Sequence, residues 1–120
     1  MYGLGILGEK VSKYTDRVVN AGKYLQGKVE YSTLDQFLRS GTSIGANCSE
    51  AVFAQSKADF ISKLHIALKE SNENRHWLKV LHTGLHINTK TYESMESDCI
   101  EIQKLLSTII KHTKDNMNKT

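Results

Sequence analysis

The chain has 120 residues, 39% of them hydrophobic and 24% charged, with a formal net charge of +3. That length makes one domain, residues 1–120, able to bury roughly two thirds of the surface its unfolded chain would expose. The balance excludes both a disordered and a membrane class, and no run approaches the ~18 apolar residues that a spanning helix needs.

The opening Met1-Tyr-Gly-Leu-Gly-Ile-Leu-Gly8 has neither the basic segment nor the apolar core of a secretory leader. Residues 1–5 are therefore expected to fray and the protein to be cytoplasmic. Cys48 and Cys99 stand alone, without metal-ligand spacing, and read as two reduced core residues. Proline is absent. Turn-rich β and α/β folds use proline freely, whereas long helices exclude it from their interiors.

Four segments repeat apolar residues at a spacing of three and four, the period of a helix with one buried face. The first runs through Leu7, Val11, Tyr14, Val18, Ala21 and Leu25 and closes near Gly27, a left-handed cap. The second carries Leu34, Phe37, Leu38, Gly41, Ile44, Gly45, Cys48 and Val52, and Ser32 with Asp35 reads as its N-terminal cap. The third carries Phe60, Leu64, Ala67, Leu68, Ser71, Arg75, Leu78, His82 and Leu85, with Ser56 and Asp59 as its cap and Gly84 as its end. The fourth carries Tyr92, Met95, Cys99, Ile102, Leu106, Ile109, Ile110 and Met117. Its acids Glu93, Glu96, Asp98 and Glu101 come early and Lys104, Lys111, Lys114 and Lys119 late, complementing the helix dipole. Short linkers make neighbouring helices antiparallel. The expected fold is all-α, an antiparallel up-and-down four-helix bundle.

Two helices have a second usable face. Opposite its core stripe the second helix carries Ser43, Ala46, Asn47, Glu50 and Ala54, with Arg39 at the edge, where a solvated helix would bristle with Lys and Glu. Small residues let another backbone come close. On the third helix Ile66, Trp77, Val80 and Leu81 gather on a flank around Glu70 and Glu73, and a lone Trp there suits an interface anchor. Arg39, Ser43, Asn47, Glu50, Ile66, Trp77, Val80 and Leu81 are the expected oligomer interface, and a homo-oligomer the expected state.

Chemical motifs are thin. Glu73-Asn-Arg-His76 matches one half of a di-iron bundle motif, but such sites need two. His82 and His86 lack a third zinc ligand at fixed spacing and read as helix-end histidines. Gly41-Thr-Ser-Ile-Gly45 lacks the lysine-serine ending of a phosphate loop, and its glycines read as a groove for close helix packing. No catalytic residue, metal or cofactor is expected. For nucleic acid, Lys10, Lys13, Arg17 and Lys23 on the first helix and Lys57, Lys63, Lys69 and Lys79 on the third are the candidate phosphate contacts. A ring of copies multiplies them into a positive belt. No aromatic platform for bases is evident, so binding should be weakly sequence-specific.

Leu38-Arg-Ser-Gly-Thr-Ser-Ile-Gly-Ala-Asn47, Glu50-Ala51, the run from Ser56 to Glu70, and His76-Trp77-Leu78 together resemble the four-helix-bundle family of 23S ribosomal RNA intervening-sequence proteins. Residues 34 to 85 carry the match, around a Ser-Ile-x-x-Asn-x-x-Glu core formed here by Ser43, Ile44, Asn47 and Glu50. The resemblance implies a bacterial up-and-down bundle assembling as a homopentameric ring, with no settled molecular activity. A similar bundle serves as the accessory variability protein of diversity-generating retroelements, a basic pentamer that contacts a reverse transcriptase and nucleic acid. The resemblance thus implies RNA or DNA, or a protein such as a reverse transcriptase, as partners. This chain departs after Glu50, where Ala51-Val-Phe-Ala-Gln55 stands in place of a glycine and basic residues. A nucleic-acid role is not carried over to those positions.

Overall fold

A computed structural model describes residues 4–118 and contains four helices: α1 (Ile6–Leu25), α2 (Tyr31–Val52), α3 (Lys57–Thr83) and α4 (Thr89–Asn118). Met1 to Gly3 and Lys119, part of the expected frayed start and of the late basic run, lie outside the described residues. Among the described residues there is no strand. Each helix packs on its two neighbours, α1 on α2 and α4, and α3 on α2 and α4, while the diagonal backbones stay apart. The direction of every pair is legible in its cross-links. Arg39 meets Glu70 while Glu50 meets Lys63, so α2 and α3 run antiparallel. Lys10 meets Glu101 and Arg17 meets Asp98, so α1 and α4 do too. The result is an up-and-down bundle 52 Å long and 22 × 20 Å across.

The core follows the apolar stripes. Leu7, Val11, Tyr14 and Val18 of α1, Phe37, Ile44 and Cys48 of α2, Leu64, Ala67 and Leu78 of α3, and Met95, Cys99, Ile102 and Leu106 of α4 are fully or almost fully buried. Each large apolar side chain so buried contributes about 1.5–3 kcal/mol. Leu4, Ala51, Ile61 and Ile87 join them outside the expected stripes, and Leu4 is packed into the core rather than frayed. Two stripe members are corrected: Leu85 is 89% exposed and Met117 lies at the surface.

The helix ends follow backbone chemistry more closely than residue type. Gln26 N–H donates to the Gly22 carbonyl and Gly27 takes φ +79°, the left-handed closure expected there. Ser56 Oγ accepts from Asp59 N–H at 3.1 Å and the Asp59 carboxylate accepts from Gln55 N–H at 3.2 Å, so α3 starts in a reciprocal cap. The Ser32–Asp35 cap does not form. The helix begins one residue before Ser32, with Glu30 at the N-cap position and no side-chain bond to it. At the other end of α3, His86 N–H reaches the Leu81 carbonyl and Leu85 N–H the His82 carbonyl, a Schellman closure. The left-handed residue in that closure is Leu85, φ +63°, while Gly84 has an ordinary negative φ. The glycine thus sits one position early.

One polar layer crosses the middle of this core. Tyr14 OH of α1 donates to Asn74 Oδ1 of α3 at 2.5 Å, and Asn74 Nδ2 donates to the Phe37 carbonyl and to Ser40 Oγ of α2 at 2.9 and 3.1 Å. Cys99 of α4 lies beside Tyr14, and its Sγ–H donates to the Ser71 carbonyl at 3.4 Å. Burial pushes the Tyr14 phenol well above its usual range and the Cys99 thiol up to about 11, so both stay neutral. Gly41 makes room for this layer: a Cβ there would meet Val18 at 2.6 and 2.8 Å and Asn74 Nδ2 at 2.9 Å. At Gly45 a Cβ would come no closer than 3.2 Å, to Thr15 Oγ1. Of the two glycines read as a packing groove, Gly41 is the demanding one.

Val18 is β-branched and cannot swing aside. Gly41→Ala is therefore expected to lower the unfolding free energy by roughly 1–2 kcal/mol, overpacking outweighing the gain in helix propensity. Gly45→Ala should be close to neutral. Urea unfolding of the two variants measures the contrast.

Candidate functional site

The α2 and α3 flanks that the sequence singles out separately lie on one side of the molecule, because α2 and α3 make the most extensive helix pair of the bundle. Arg39 bridges them. Its Nη1 donates to Glu70 at 2.8 Å, its Nη2 donates to Glu73, and its Nε donates to Gln36 at 3.3 Å. Glu70 is itself nearly buried, so the guanidinium supplies the partner that its carboxylate needs away from water. Arg39 also holds the Glu73 carboxyl below the usual carboxylate range, helped by the Trp77 indole.

Along the same side of α2 the small polar residues are turned back on their own helix. Ser43 Oγ donates to the Arg39 carbonyl at 2.6 Å and Asn47 Nδ2 to the Ser43 carbonyl at 2.9 Å. Their polarity is spent internally, which leaves a low, smooth strip with Ala46 exposed between them. Glu50 reaches Lys63 at 3.9 Å. On α3, Ile66 and Val80 are 39% and 37% exposed and Trp77 is half-buried against the core. The Trp77 N–H lies near Glu73 but closes no hydrogen bond of good geometry, a buried donor without an acceptor. Leu81 is corrected: it is 1% exposed, committed to the core of its own bundle, and offers nothing to an interface.

The basic residues fall on two diagonal helices whose backbones do not meet, so one subunit carries two separate strips and no single patch. Lys10 and Arg17 are neutralised by Glu101 and Asp98 at 2.7 Å each, and Lys63 leans toward Glu50. Lys13, Lys23, Lys57, Lys69 and Lys79 are exposed. Glu73 and His76 serve other ends: Glu73 holds Arg39, and His76 packs edge-on to Trp77 with ring centroids 4.9 Å apart. His82 Nε2 lies 3.0 Å from Thr89 Oγ1 and its ring stacks on Tyr92 at 4.4 Å. Among the described residues no three His, Cys, Asp or Glu side chains come together as a metal site, and no helix is long and apolar enough to cross a membrane.

The family model for the 23S rRNA-intervening sequence protein matches residues 7–108, all four helices but the last turns of α4. The chain belongs to that family. A solved structure of a protein with unknown function from the S23 ribosomal protein family of Bacteroides thetaiotaomicron VPI-5482 superimposes with a TM-score of 0.85 at 48% identity. The match covers 88% of this chain and 99% of that one. No curated protein matches. Within this family fold, sequence reading found Arg39 and Trp77 but missed Asn74 and Ser40, the buried polar pair that braces the α2–α3 face from behind. Their signal was available: Asn74 lies three residues after Ser71 and four before Leu78, on the buried stripe.

The Glu73 geometry sets a pH dependence. A carboxyl whose folded value is depressed contributes stability that is present above its unfolded value and lost as pH falls through the folded one. Between about pH 5 and pH 2 the wild type should therefore lose melting temperature faster than Arg39→Met, whose Glu73 has no cation to hold it ionised. Circular-dichroism melts of the pair across that range read the difference in slope.

Proposed function

We propose that this protein is a homo-oligomeric scaffold without a catalytic centre, which joins copies of itself through the α2–α3 face and associates with RNA or DNA through its outward lysines. The observation that carries the reading is the flank of Ile66, Trp77 and Val80 beside the smooth strip of Ser43, Ala46 and Asn47. An apolar ridge with a half-buried Trp, next to a strip with its polarity turned inward, suits burial against another subunit. The Arg39–Glu70–Glu73 cluster then sits at the centre of the contact. A ring of five copies follows from the family resemblance. It would repeat each exposed lysine strip around the assembly, which turns two weak strips per subunit into a continuous positive field for phosphates. A role without covalent chemistry is supported by the two thiols, both pushed up to about 11 by burial and so poor nucleophiles.

Two measurements test this reading. Light scattering is expected to find an oligomer for the wild type and smaller species for Trp77→Ala, since an interface aromatic often carries about 2 kcal/mol or more. A wild type that stays monomeric at high concentration ends the scaffold proposal.

Binding to structured RNA is expected to weaken steeply as salt rises, because each neutralised phosphate releases counterions. Reversing Lys13, Lys23, Lys57, Lys69 and Lys79 to Glu should abolish it. Binding that ignores salt, or none at all, removes the nucleic-acid half of the reading and leaves a protein such as a reverse transcriptase as the partner.

A further inference from the structure

Of the four adjacent helix pairs, α1 and α4 pack least closely. Where the loop between α3 and α4 passes the C-terminal half of α1, their separation opens a cavity of about 930 Å3. That volume lies within the roughly 300–1,000 Å3 of small-molecule sites. Its floor is apolar, with Ile87 and Met95 both buried in the core. Tyr24, 60% exposed, lines its wall, and Lys28 Nζ lies over one face of the Tyr24 ring, 3.5 Å from the centroid. Asn20 and Asn88 bring side-chain amides to the rim, and Thr91 N–H donates to Asn88 Oδ1 at 2.8 Å, which fixes that amide. Arg17 stands at the edge, held through Nη1 by Asp98 at 2.7 Å and Ser94 at 3.0 Å, so the rest of its donor fork is not committed to them. Among the described residues no carboxylate lines the cavity.

The rim also carries the left-handed turn described above. Leu85 lines the cavity in the left-handed conformation, almost fully exposed, although a glycine stands beside it in the chain. That turn closes the end of α3 at a backbone cost of roughly 1–2 kcal/mol, which the exposed leucine does not recover by burial.

We infer that this groove takes an unpaired nucleobase of single-stranded RNA. A flat ring needs an apolar floor, an aromatic wall and amide groups at its edge, and the phosphates on either side need cations and no carboxylates. Tyr24, the two amides and Lys28 supply those parts, and Arg17, its charge already balanced by Asp98, adds hydrogen-bond donors at the edge. A base inside a duplex presents only its edge and cannot enter, so the site is selective for single strands. An apolar peptide side chain would leave the amides and the cations unused. The inference rests on the nucleic-acid reading above and adds to it a stacking site that the lysine strips lack.

The test compares a fluorescent single-stranded RNA of about ten nucleotides with the same strand annealed to its complement, by anisotropy against the full chain. Tyr24→Ala is expected to weaken single-strand binding by roughly tenfold, the worth of one stacked base, and to leave the duplex unchanged. Tyr24→Phe should bind as the wild type does, and Asn20→Ala should weaken the single strand alone. Both positions are at the surface, and a wild-type circular-dichroism spectrum confirms that each of the three variants folds. If Tyr24→Ala binds both probes as tightly as the wild type, the groove inference is overturned and the scaffold reading stands. If the wild type binds neither probe, the nucleic-acid reading itself falls.

Discussion

The arrangement of the bundle depends on one amide. Asn74 is completely buried, and a buried amide without partners costs on the order of 1–3 kcal/mol for each group left unmade. Its oxygen takes the Tyr14 hydroxyl and its nitrogen gives to Ser40 and to the Phe37 carbonyl, so one side chain ties α1, α2 and α3 to a single register. Sliding any of these helices by a turn would strand a polar group in an apolar interior, where leucines and isoleucines alone would tolerate the slip. The tie is short, and only a glycine at position 41 lets α2 come near enough to make it.

The candidate interface is built on the outer side of the same brace. With α2 and α3 locked together from within by Asn74 and Ser40, Arg39 can span from α2 to two carboxylates of α3 on the outside. Glu70 could not remain nearly buried without it. The apolar ridge of Ile66, Trp77 and Val80 is then presented by a rigid pair of helices rather than by a loop. The proposed contact with another copy of the chain gains from such rigidity, because little ordering remains to be done on binding.

The opposite side, between α1 and α4, is held differently. There the pairs are ionic and partly exposed, Lys10 with Glu101 and Arg17 with Asp98, and such pairs contribute little in water. The looser seam opens the groove at one end. The bundle thus divides into a tight pair that braces the proposed self-association face and a looser pair that leaves a cleft.

How much of this was legible beforehand differs by element. Four helices, their antiparallel order and most of the core could be read because apolar period and short linkers are local properties of the chain, and Leu7, Val11, Phe37, Leu64 and Leu106 needed no partner to be recognised. The family could be read because its core signature, Ser43, Ile44, Asn47 and Glu50, falls within one helix and the rest of the match follows it closely along the chain. Leu81, Leu85 and Ser32 misled. A helical wheel cannot say how far a flank tilts toward a neighbour, whether a chain turns left-handed one residue after its glycine, or which residue a helix starts from. Asn74 and the Tyr24 groove stayed hidden for a different reason. Each is made by side chains drawn from two or three helices, 60 residues apart in the case of Tyr14 and Asn74. The chain by itself determined which surfaces are apolar and which are charged. Only packing in three dimensions decided which of those surfaces meet, because hydrogen bonds and cavities depend on distances that spacing along one helix does not encode.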